Sequence, residues 1–260
     1  MYVRPKKALG QHFLADTSLA RKIVDALNGC SLPVLEVGPG TGILTRFLLE
    51  RPETEFRAVE IDSESIRYLL THFPSIEGRL LQADFLKIDL SALFTSPFVV
   101  MGNFPYHISS QIFFKILNHR NQIPMVVGML QKEVAERIAS PSGSKAYGIL
   151  SVLLQAWYHI EYLFTVSEHV FVPPPKVKSA VVRLTRNSRT ALPCNEALFT
   201  QVVKATFNQR RKMIRNSLMQ LTRSNSLPKH PLLALRPEQL EIEQFVELTN
   251  VVSNLMRALE

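Results

Sequence analysis

The residues Asn103, Phe104, Pro105 and Tyr106 follow a short apolar run, and their types suit chemistry at an exocyclic amine of a nucleobase. The lone pair of such an amine is delocalised into the ring, so its alkylation requires acceptors for the amine protons and a face that holds the base. The Asn103 side-chain oxygen supplies one acceptor. Phe104 precedes a proline, which favours an extended backbone that can turn its carbonyl towards a pocket. Tyr106 supplies the stacking face. Catalysis would then consist mostly of aligning the attacking nitrogen with the group to be transferred, while fixed dipoles stabilise the charge that develops.

A glycine-rich turn follows another apolar run, which ends at Val37. Gly38 and Gly40 would let a ligand approach the backbone closely. With Gly42 they occupy every second position, whereas a dinucleotide-binding turn requires G-x-G-x-x-G. The turn therefore predicts a ligand site, and its spacing argues against a nicotinamide-dependent dehydrogenase.

Two acids stand at the ends of the next two apolar runs, Glu60 and Asp84. Glu60 can accept both hydroxyls of a ribose. Asp84 can accept a hydrogen bond from an adenine amino group, with Phe85 or Ile61 against the ring. Either acid alone would also fit a solvated charge or a helix cap. The glycine-rich turn and the two acids, however, stand at the ends of three successive apolar runs, and this arrangement predicts a nucleoside cofactor.

Short apolar runs alternate with amphipathic segments from about Leu32, which is typical of a doubly wound α/β domain. The predicted strands are Pro33–Val37, Phe56–Ile61, Arg79–Gln82, Phe98–Gly102, Met125–Leu130, Ile160–Val166 and Ser179–Leu184. The predicted helices are Thr41–Glu50, Glu64–His72, Ser109–Leu117, Gln131–Ala139 and Ala146–Trp157. Three prolines predict that Phe171–Pro175 is an extended linker.

The pattern changes after Arg186, where strand-like alternation ends. We therefore predict an α/β domain over residues 1–186, which includes a basic N-terminal arm, and a small all-helical domain over 187–260. A final helix is expected from Pro237 to Leu259, with a proline near its start and acids in its early turns.

The helical domain contains a basic stretch without any acid, from Thr200 to His230. Apolar residues recur there at helical spacing, and we expect Lys204, Arg211 and Arg215 on a neighbouring face of the same helical stretch. The candidate nucleic-acid contacts are Lys204, Arg210, Arg211, Lys212 and Arg215. The alternative is a solvated helix face.

The composition supports a polyanionic partner, since the net charge is +8 over 260 residues. Cys30 and Cys194 are too few and too distant for a disulfide framework or a zinc site, and they suit a reducing cytosol. Seven histidines without paired spacing indicate no metal site. No signal peptide or bilayer-spanning run is recognisable, so we expect a cytoplasmic protein without a membrane partner.

Several motifs, in this order, resemble the KsgA family of small-subunit ribosomal RNA adenine dimethyltransferases. They are KALGQHFL from Lys7, EVGPGTG from Glu36, VEID from Val59, QAD from Gln82, GNFPY from Gly102, LQKE from Leu130, SKAYG from Ser144, FVPPPKVKS from Phe171 and FNQRRK from Phe207. The resemblance covers nearly the whole chain, and the ordered set is highly specific.

The resemblance implies a Rossmann-like S-adenosylmethionine-dependent methyltransferase domain with a small helical domain at its C-terminus. It implies cofactor contacts at Gln11, His12, Leu14, Gly38, Gly40, Glu60, Ile61, Asp84, Phe85 and Asn103. It also implies a target-base pocket formed by Asn103, Phe104, Pro105 and Tyr106, with Phe171 as a second stacking aromatic. The implied substrate is a pair of adjacent adenosines in a hairpin loop near the 3′ end of 16S ribosomal RNA. The partner would be a pre-ribosomal particle, the enzyme a monomer, and no metal is implied.

Two residues depart from the family pattern. His12 stands where Asn is usual, and its contact with the cofactor carboxylate would depend on tautomer and pH. Phe104 stands where Leu is commoner, and its bulk near the target nitrogen would disfavour the second methylation.

Three other activities remain as alternatives to this interpretation. Large-subunit adenosine methyltransferases of the antibiotic-resistance type share the cofactor and N-x-P-Y elements, but Pro173–Val177 and Phe207–Lys212 favour the small-subunit enzyme. A pyrimidine C5 methyltransferase needs a nucleophilic cysteine at a strand end, whereas Cys194 lies in the region between the predicted domains. The third alternative is a catalytically weak RNA-binding assembly factor, against which the intact Asn103 and Tyr106 argue.

Overall fold

The computed structural model describes residues 3–51, 53–224 and 226–259. Within them the strands are β1 Phe13–Leu14, β2 Val34–Val37, β3 Phe56–Glu60, β4 Leu80–Gln82, β5 Val99–Asn103, β6 Met125–Gln131, β7 Tyr158–Val166, β8 Phe171–Val172 and β9 Ser179–Arg186. The α-helices are α1 Thr17–Asp25, α2 Thr45–Leu49, α3 Ser63–His72, α4 Ser109–Asn118, α5 Lys132–Ala139, α6 Ile149–Gln155, α7 Glu196–Asn208, α8 Ile214–Thr222 and α9 Ile242–Leu259.

The described chain divides into two compact units. The first contains the described part of residues 1–135 together with 159–186, and the second contains 136–158 and the described part of 187–260. The sequence predicted a domain boundary at Arg186, and in the structure residues 136–158, which lie before that boundary, cluster with 187–260. The reason is packing, because the largely buried helix α6 packs against α7.

In the described part of the first unit, seven strands form one sheet in the order β4-β3-β2-β5-β6-β9-β7. Strands β2 to β6 run parallel to one another, and β9 pairs with β6 in the antiparallel sense. All four residues of β2 are buried, as expected for a strand covered on both faces. The order reverses between β2 and β5, and ligands of such sheets bind at the carboxyl ends of the strands beside this point.

The first unit contains β1 and α1, which the sequence did not predict, and it differs from two of the predicted elements. Helix α2 begins at Thr45 rather than Thr41, because Gly42 adopts a φ of +77° that a helix cannot contain. The residues Phe171 and Val172 are not linker: they form β8, which pairs antiparallel with β1. The three prolines that follow lie outside every strand of the described chain.

The second unit breaks its helices where the sequence predicted continuity. Helix α7 ends at Asn208, a turn follows, and α8 begins at Ile214, so Lys204, Arg211 and Arg215 do not share one helix. The break lets α8 pack back against α7. The predicted final helix also starts later, at Ile242, because Leu240 is extended and fully buried after a separate turn at Pro237–Gln239.

Candidate active site

The carboxyl ends of β2, β3 and β5 open into one cavity within the first unit. Its walls come from the glycine-rich turn, the residues after β3 and β4, the turn after β5, and the N-terminal segment 9–14. Cofactor and target-base residues predicted from separate stretches of the chain therefore line the same space. They are Gln11, His12, Leu14, Gly38, Gly40, Glu60, Ile61, Asp84, Phe85, Asn103, Phe104, Pro105 and Tyr106.

The glycine-rich turn uses left-handed backbone conformations, with φ of +68° at Gly38 and +57° at Gly40. Such angles strain any residue that has a Cβ. Nothing lies within 4 Å of the place where a Cβ on Gly38 would stand, so the backbone there is open to a ligand. At Gly40 a Cβ would instead collide with the ring of Phe13.

Glu60 is buried at the end of β3 and holds the backbone around the cavity. Its Oε2 accepts from the Gly40 amide at 3.0 Å, and its Oε1 accepts from the amides of Ile61 at 2.8 Å and Asp62 at 2.9 Å. Burial raises the pKa of Glu60, while these three donors act in the opposite direction. A carboxylate has about four acceptor positions, so roughly one remains for a ribose hydroxyl.

The residues expected around an adenine ring are present, and the structure favours one of the two apolar candidates. Ile61 is 51% exposed although it is a large hydrophobic residue, which suits a face that a ligand covers. Phe85 is buried, with the Lys115 ammonium 5.4 Å from its ring centroid. Asp84 is partly buried, and its Oδ1 accepts from the Leu86 amide at 2.9 Å.

The N-terminal segment lines the cavity, but its side chains are engaged elsewhere. Gln11 donates to Asp62 Oδ2 at 3.1 Å and accepts from the Lys6 amide at 2.9 Å, and Leu14 is buried in the core. The Nδ1 of His12 lies 2.9 Å from the Pro173 carbonyl oxygen. These contacts do not support the expected side-chain contact of His12 with the cofactor carboxylate.

Asn103 is oriented at the end of β5 by its own amide group. Its Nδ2 donates to the His12 carbonyl at 2.9 Å. The Oδ1 therefore has no hydrogen-bond partner among the described residues and stays available as the acceptor that amine chemistry requires. The next amide, that of Phe104, donates to Met129 O at 2.9 Å and continues the pairing with β6.

The ring of Phe104 points into the protein interior rather than into the cavity. It is 0% exposed, packs edge-on against Phe113 with centroids 5.9 Å apart, and covers Gly102 and Gly128. The expectation that its bulk lies near the target nitrogen was wrong, because the two glycines leave space for the ring behind the sheet end. What Phe104 can offer to the cavity is its backbone.

Tyr106 is a half-buried aromatic residue that lines the cavity and could stack on a base. Its hydroxyl lies 2.6 Å from Ser179 Oγ, and the His12 ring stacks on it with centroids 5.5 Å apart. Burial raises the pKa of Tyr106, so the hydroxyl stays protonated at neutral pH. By contrast Phe171 is 2% exposed, packs in the core and is not among the cavity-lining residues, so its role as a second stacking face stays a prediction that this arrangement does not support.

The predicted RNA-binding cations separate into two groups. Arg210 has partners inside the second unit, the Ser144 carbonyl at 3.3 Å and Glu238 at 3.8 Å, so its role is at least partly structural. The side chains of Arg211, Lys212 and Arg215 are exposed and form no ion pair with another described residue. Lys204 is exposed on α7.

Two functional candidates were missed by reasoning from the sequence. Glu36 in β2 is 1% exposed and lines the cavity; burial raises its pKa to about 8, and the Thr45 hydroxyl donates to it at 2.7 Å. A signal existed, since an acid inside a buried apolar strand is unusual. Ser179 carried no signal, because its contact with Tyr106 joins residues 73 positions apart.

Comparison with known structures defines the class. The fold is similar to a dimethyladenosine transferase from Plasmodium falciparum, with a TM-score of 0.74 and 25% identity, covering 91% of this chain and 96% of that one. It is also similar to the 23S rRNA methyltransferase ErmE, with a TM-score of 0.66 and 24% identity over 93% and 99% of the two chains. Together with the nucleoside-type cavity, this defines a Rossmann-like methyltransferase.

Sequence comparison gives the family. The model of the ribosomal RNA adenine dimethylase family matches residues 3–253, and the chain belongs to this family. It is 60% identical to the ribosomal RNA small subunit methyltransferase A of Parabacteroides distasonis, over 95% of this chain and 93% of that protein. It is 56% identical to the protein of the same name from Phocaeicola vulgatus, over 98% and 92%. The enzyme is an S-adenosylmethionine-dependent rRNA adenine methyltransferase.

The residues at the cavity fit this cofactor. An adenine nucleoside requires hydrogen-bond acceptors, apolar surface and an open backbone. The cavity offers carboxylates at Glu60 and Asp84, the exposed side chain of Ile61 and the open backbone of Gly38. Among the described residues no cluster of His, Cys, Asp and Glu could hold a metal ion. In the same part of the chain no helix is long and apolar enough to cross a membrane.

Proposed function

We propose that the protein dimethylates two adjacent adenosines in a hairpin loop near the 3′ end of 16S ribosomal RNA. It acts as a cytoplasmic monomer on a pre-ribosomal particle of the small subunit. The observation that carries this proposal is the orientation of Asn103, whose Nδ2 donates to His12 O at 2.9 Å while its Oδ1 stays without a partner among the described residues, in the cavity that Tyr106 also lines.

The chain's own residues supply alignment and hydrogen-bond acceptors. S-adenosylmethionine supplies the methyl group from its sulfonium. The Asn103 Oδ1 and the Phe104 carbonyl accept hydrogen bonds from the N–H groups of the adenine amine, and Tyr106 holds the ring by stacking, which is worth about 1–3 kcal/mol. The nitrogen would become acidic as its bond to the methyl carbon forms and the carbon–sulfur bond breaks, so no strong base is needed beforehand. The fixed acceptors would stabilise the developing positive charge, the proton would pass to water, and S-adenosylhomocysteine would be the leaving group.

Loop bases suit such a site because they are already partly unstacked. Extruding them costs less than removing a paired base from a duplex. The second unit would dock the RNA through Arg211, Lys212 and Arg215. These side chains are exposed, and the stretch 200–230 in which they lie contains no Asp or Glu. Contacts to phosphates position the RNA, while the cavity reads the base.

The test is methyl transfer from labelled cofactor to undermethylated small subunits, followed by mapping of the modified bases. We expect two dimethylated adenosines in one hairpin loop, and Asn103→Ala should abolish transfer while RNA affinity stays within about threefold. Large subunits serve as the control substrate and should remain unlabelled. Label in the large subunit, or normal transfer by the Asn103 variant, would overturn the proposal.

A further inference from the structure

The segment 172–178, here called the basic rim, runs from the last residue of β8 to the residue before β9 and is exposed at six of its seven residues. Val172 is 51% and Val177 45% exposed, so two large apolar side chains face solvent on one short loop. The basic residues Lys176 and Lys178 flank the second valine and are also exposed. A loop of this composition presents cations and apolar surface together.

Both ends of the basic rim are fixed beside the target-base residues. Pro173 O contacts His12 Nδ1 at 2.9 Å, and the His12 ring stacks on Tyr106. Directly after the rim, Ser179 Oγ lies 2.6 Å from the Tyr106 hydroxyl. The rim therefore borders the side of the cavity at which a base would reach Tyr106.

Further contacts hold the rim in place. The Lys178 carbonyl accepts from the Lys132 amide at 2.9 Å, and Pro175 is buried. Three prolines restrict φ across the middle of the rim. A loop ordered in advance loses little conformational entropy when it binds a ligand.

The charge of the rim favours an anion. Neither Lys176 nor Lys178 forms an ion pair within the described residues, and the acid whose charge interacts with Lys178 is Glu168, which itself contacts His169 at 3.6 Å. Two lysines thus face solvent near the proposed target-base residues, and Glu168 is the acid whose charge reaches Lys178. The matching ligand is a phosphodiester strand rather than an acidic protein surface, because the base in the cavity brings its own flanking phosphates to this edge.

We propose that the basic rim binds the RNA strand flanking the target adenosine. Lys176 and Lys178 contact two backbone phosphates, and Val172 and Val177 pack against the adjoining sugar or base. The inference rests on the proposed function, since it assumes that the base in the cavity belongs to an RNA. It adds a docking surface in the first unit to the cations of the second.

The experiment measures binding of wild-type and Lys176→Ala/Lys178→Ala protein to undermethylated small subunits between 50 and 200 mM salt. Each phosphate contact contributes a slope of about 0.7–0.9 in log affinity against log salt, so losing two should flatten the slope by about 1.6. The wild-type protein should then lose about ninefold more affinity than the variant over this range. Val177→Ser should raise the KM for the particle several-fold.

Matched controls come from exposed residues of the same unit that do not line the cavity. Arg46→Ala/Arg67→Ala removes two cations, and Leu70→Ser changes an apolar residue that is 42% exposed. Both should keep the wild-type slope and KM. Cofactor affinity, measured by calorimetry, should be unchanged in every variant.

Equal slopes and affinities for the wild-type and the double-lysine protein would overturn the inference. An equal reduction in the Arg46/Arg67 control would overturn it too, because the effect would then follow net charge alone. A wild-type protein that binds the particle but transfers no methyl group would overturn the proposed function instead, and the slope comparison would still decide the role of the rim.

Discussion

The hydroxyl of Tyr106 lies 2.6 Å from Ser179 Oγ, a contact between the turn after β5 and the first residue of β9. Ser179 is 0% exposed and paired with Gln131 in the sheet, so it offers a fixed point. The phenol ring is held at its tip by this bond and on one face by His12. Ser179 is therefore a positioning residue for the base-stacking side chain.

This contact predicts a non-additive double-mutant cycle. Tyr106→Phe and Ser179→Ala each remove the bond while keeping the ring, and each should lower kcat/KM for the particle about three- to tenfold, the effect of a bond worth roughly 1 kcal/mol. The double variant should be little worse than either single one. Steady-state methyl transfer measures this, with cofactor affinity as the unaffected reference. Simple additivity of the two losses would show that the bond does not position the ring.

Replacing Glu60 should weaken cofactor binding. Glu60→Ala removes an acceptor for the ribose and leaves the amides of Gly40, Ile61 and Asp62 without their partner. Hydrogen bonds to charged groups are worth about 1.5–3 kcal/mol, so the affinity for S-adenosylhomocysteine should fall roughly ten- to hundredfold. Calorimetry tests this. Asp89→Ala is the control, because Asp89 also accepts a backbone amide but does not line the cavity; equal effects of the two changes would contradict the assignment.

Glu36 should make folding stability depend on pH. Its pKa is raised from 4.5 to about 8 by burial, so between these values the folded chain holds a proton that the unfolded chain has lost. The stabilisation is complete below about pH 4.5 and is lost as the pH rises through 8, by at most about 1.4 kcal/mol per unit. Glu36→Gln should remove this dependence.

Urea unfolding at pH 5, 6, 7 and 8 measures the effect. The stability of the Gln variant relative to wild type should increase with pH, whereas Glu77→Gln, at an exposed position, should run parallel to wild type. Parallel curves for Glu36→Gln and wild type would mean that Glu36 is ionised in the folded protein.

The packing of Phe104 predicts a compensating pair. A Cβ on Gly128 would stand 2.6 Å from the Phe104 ring, so Gly128→Ala should destabilise the protein by about 1–3 kcal/mol. Phe104→Leu should reduce that penalty in the double variant, as thermal or urea unfolding would show. Because the ring faces the interior, Phe104→Leu alone should leave the ratio of mono- to dimethylated product unchanged. A changed ratio would show that the Phe104 side chain does influence the second methylation.

The exposed cations of the second unit should carry phosphate contacts. Arg211→Ala/Arg215→Ala should flatten the salt dependence of particle binding by about 1.6 units, without changing cofactor affinity. Arg210→Ala should behave differently, since it removes partners from Glu238 and Ser144 and should lower stability. If the Arg211/Arg215 variant keeps the wild-type slope of log affinity against log salt, these side chains do not contact phosphates and form an ordinary solvated surface.

Local chemistry was readable from the sequence because it lies in contiguous residues. The positive φ values at Gly38 and Gly40, the strand-end acids Glu60 and Asp84, and the Asn103–Tyr106 turn each need only neighbours in the chain. Alternating apolar runs likewise predicted the strands of the parallel sheet to within one or two residues. Their convergence on one cavity follows from a rule of parallel sheets, whose carboxyl ends share an edge.

Only the tertiary structure decided which way the side chains face and what holds them. Phe171 and Phe104 are aromatic residues in the right motifs, yet both rings are buried, because the free energy of burial depends on neighbours that are distant in sequence. The packing of α8 on α7 broke a helix whose periodicity alone gave no reason to stop. Ser179 became a support for Tyr106 for the same reason: a hydrogen bond across 73 residues leaves no trace in local pattern and exists only once the sheet has brought its strands together.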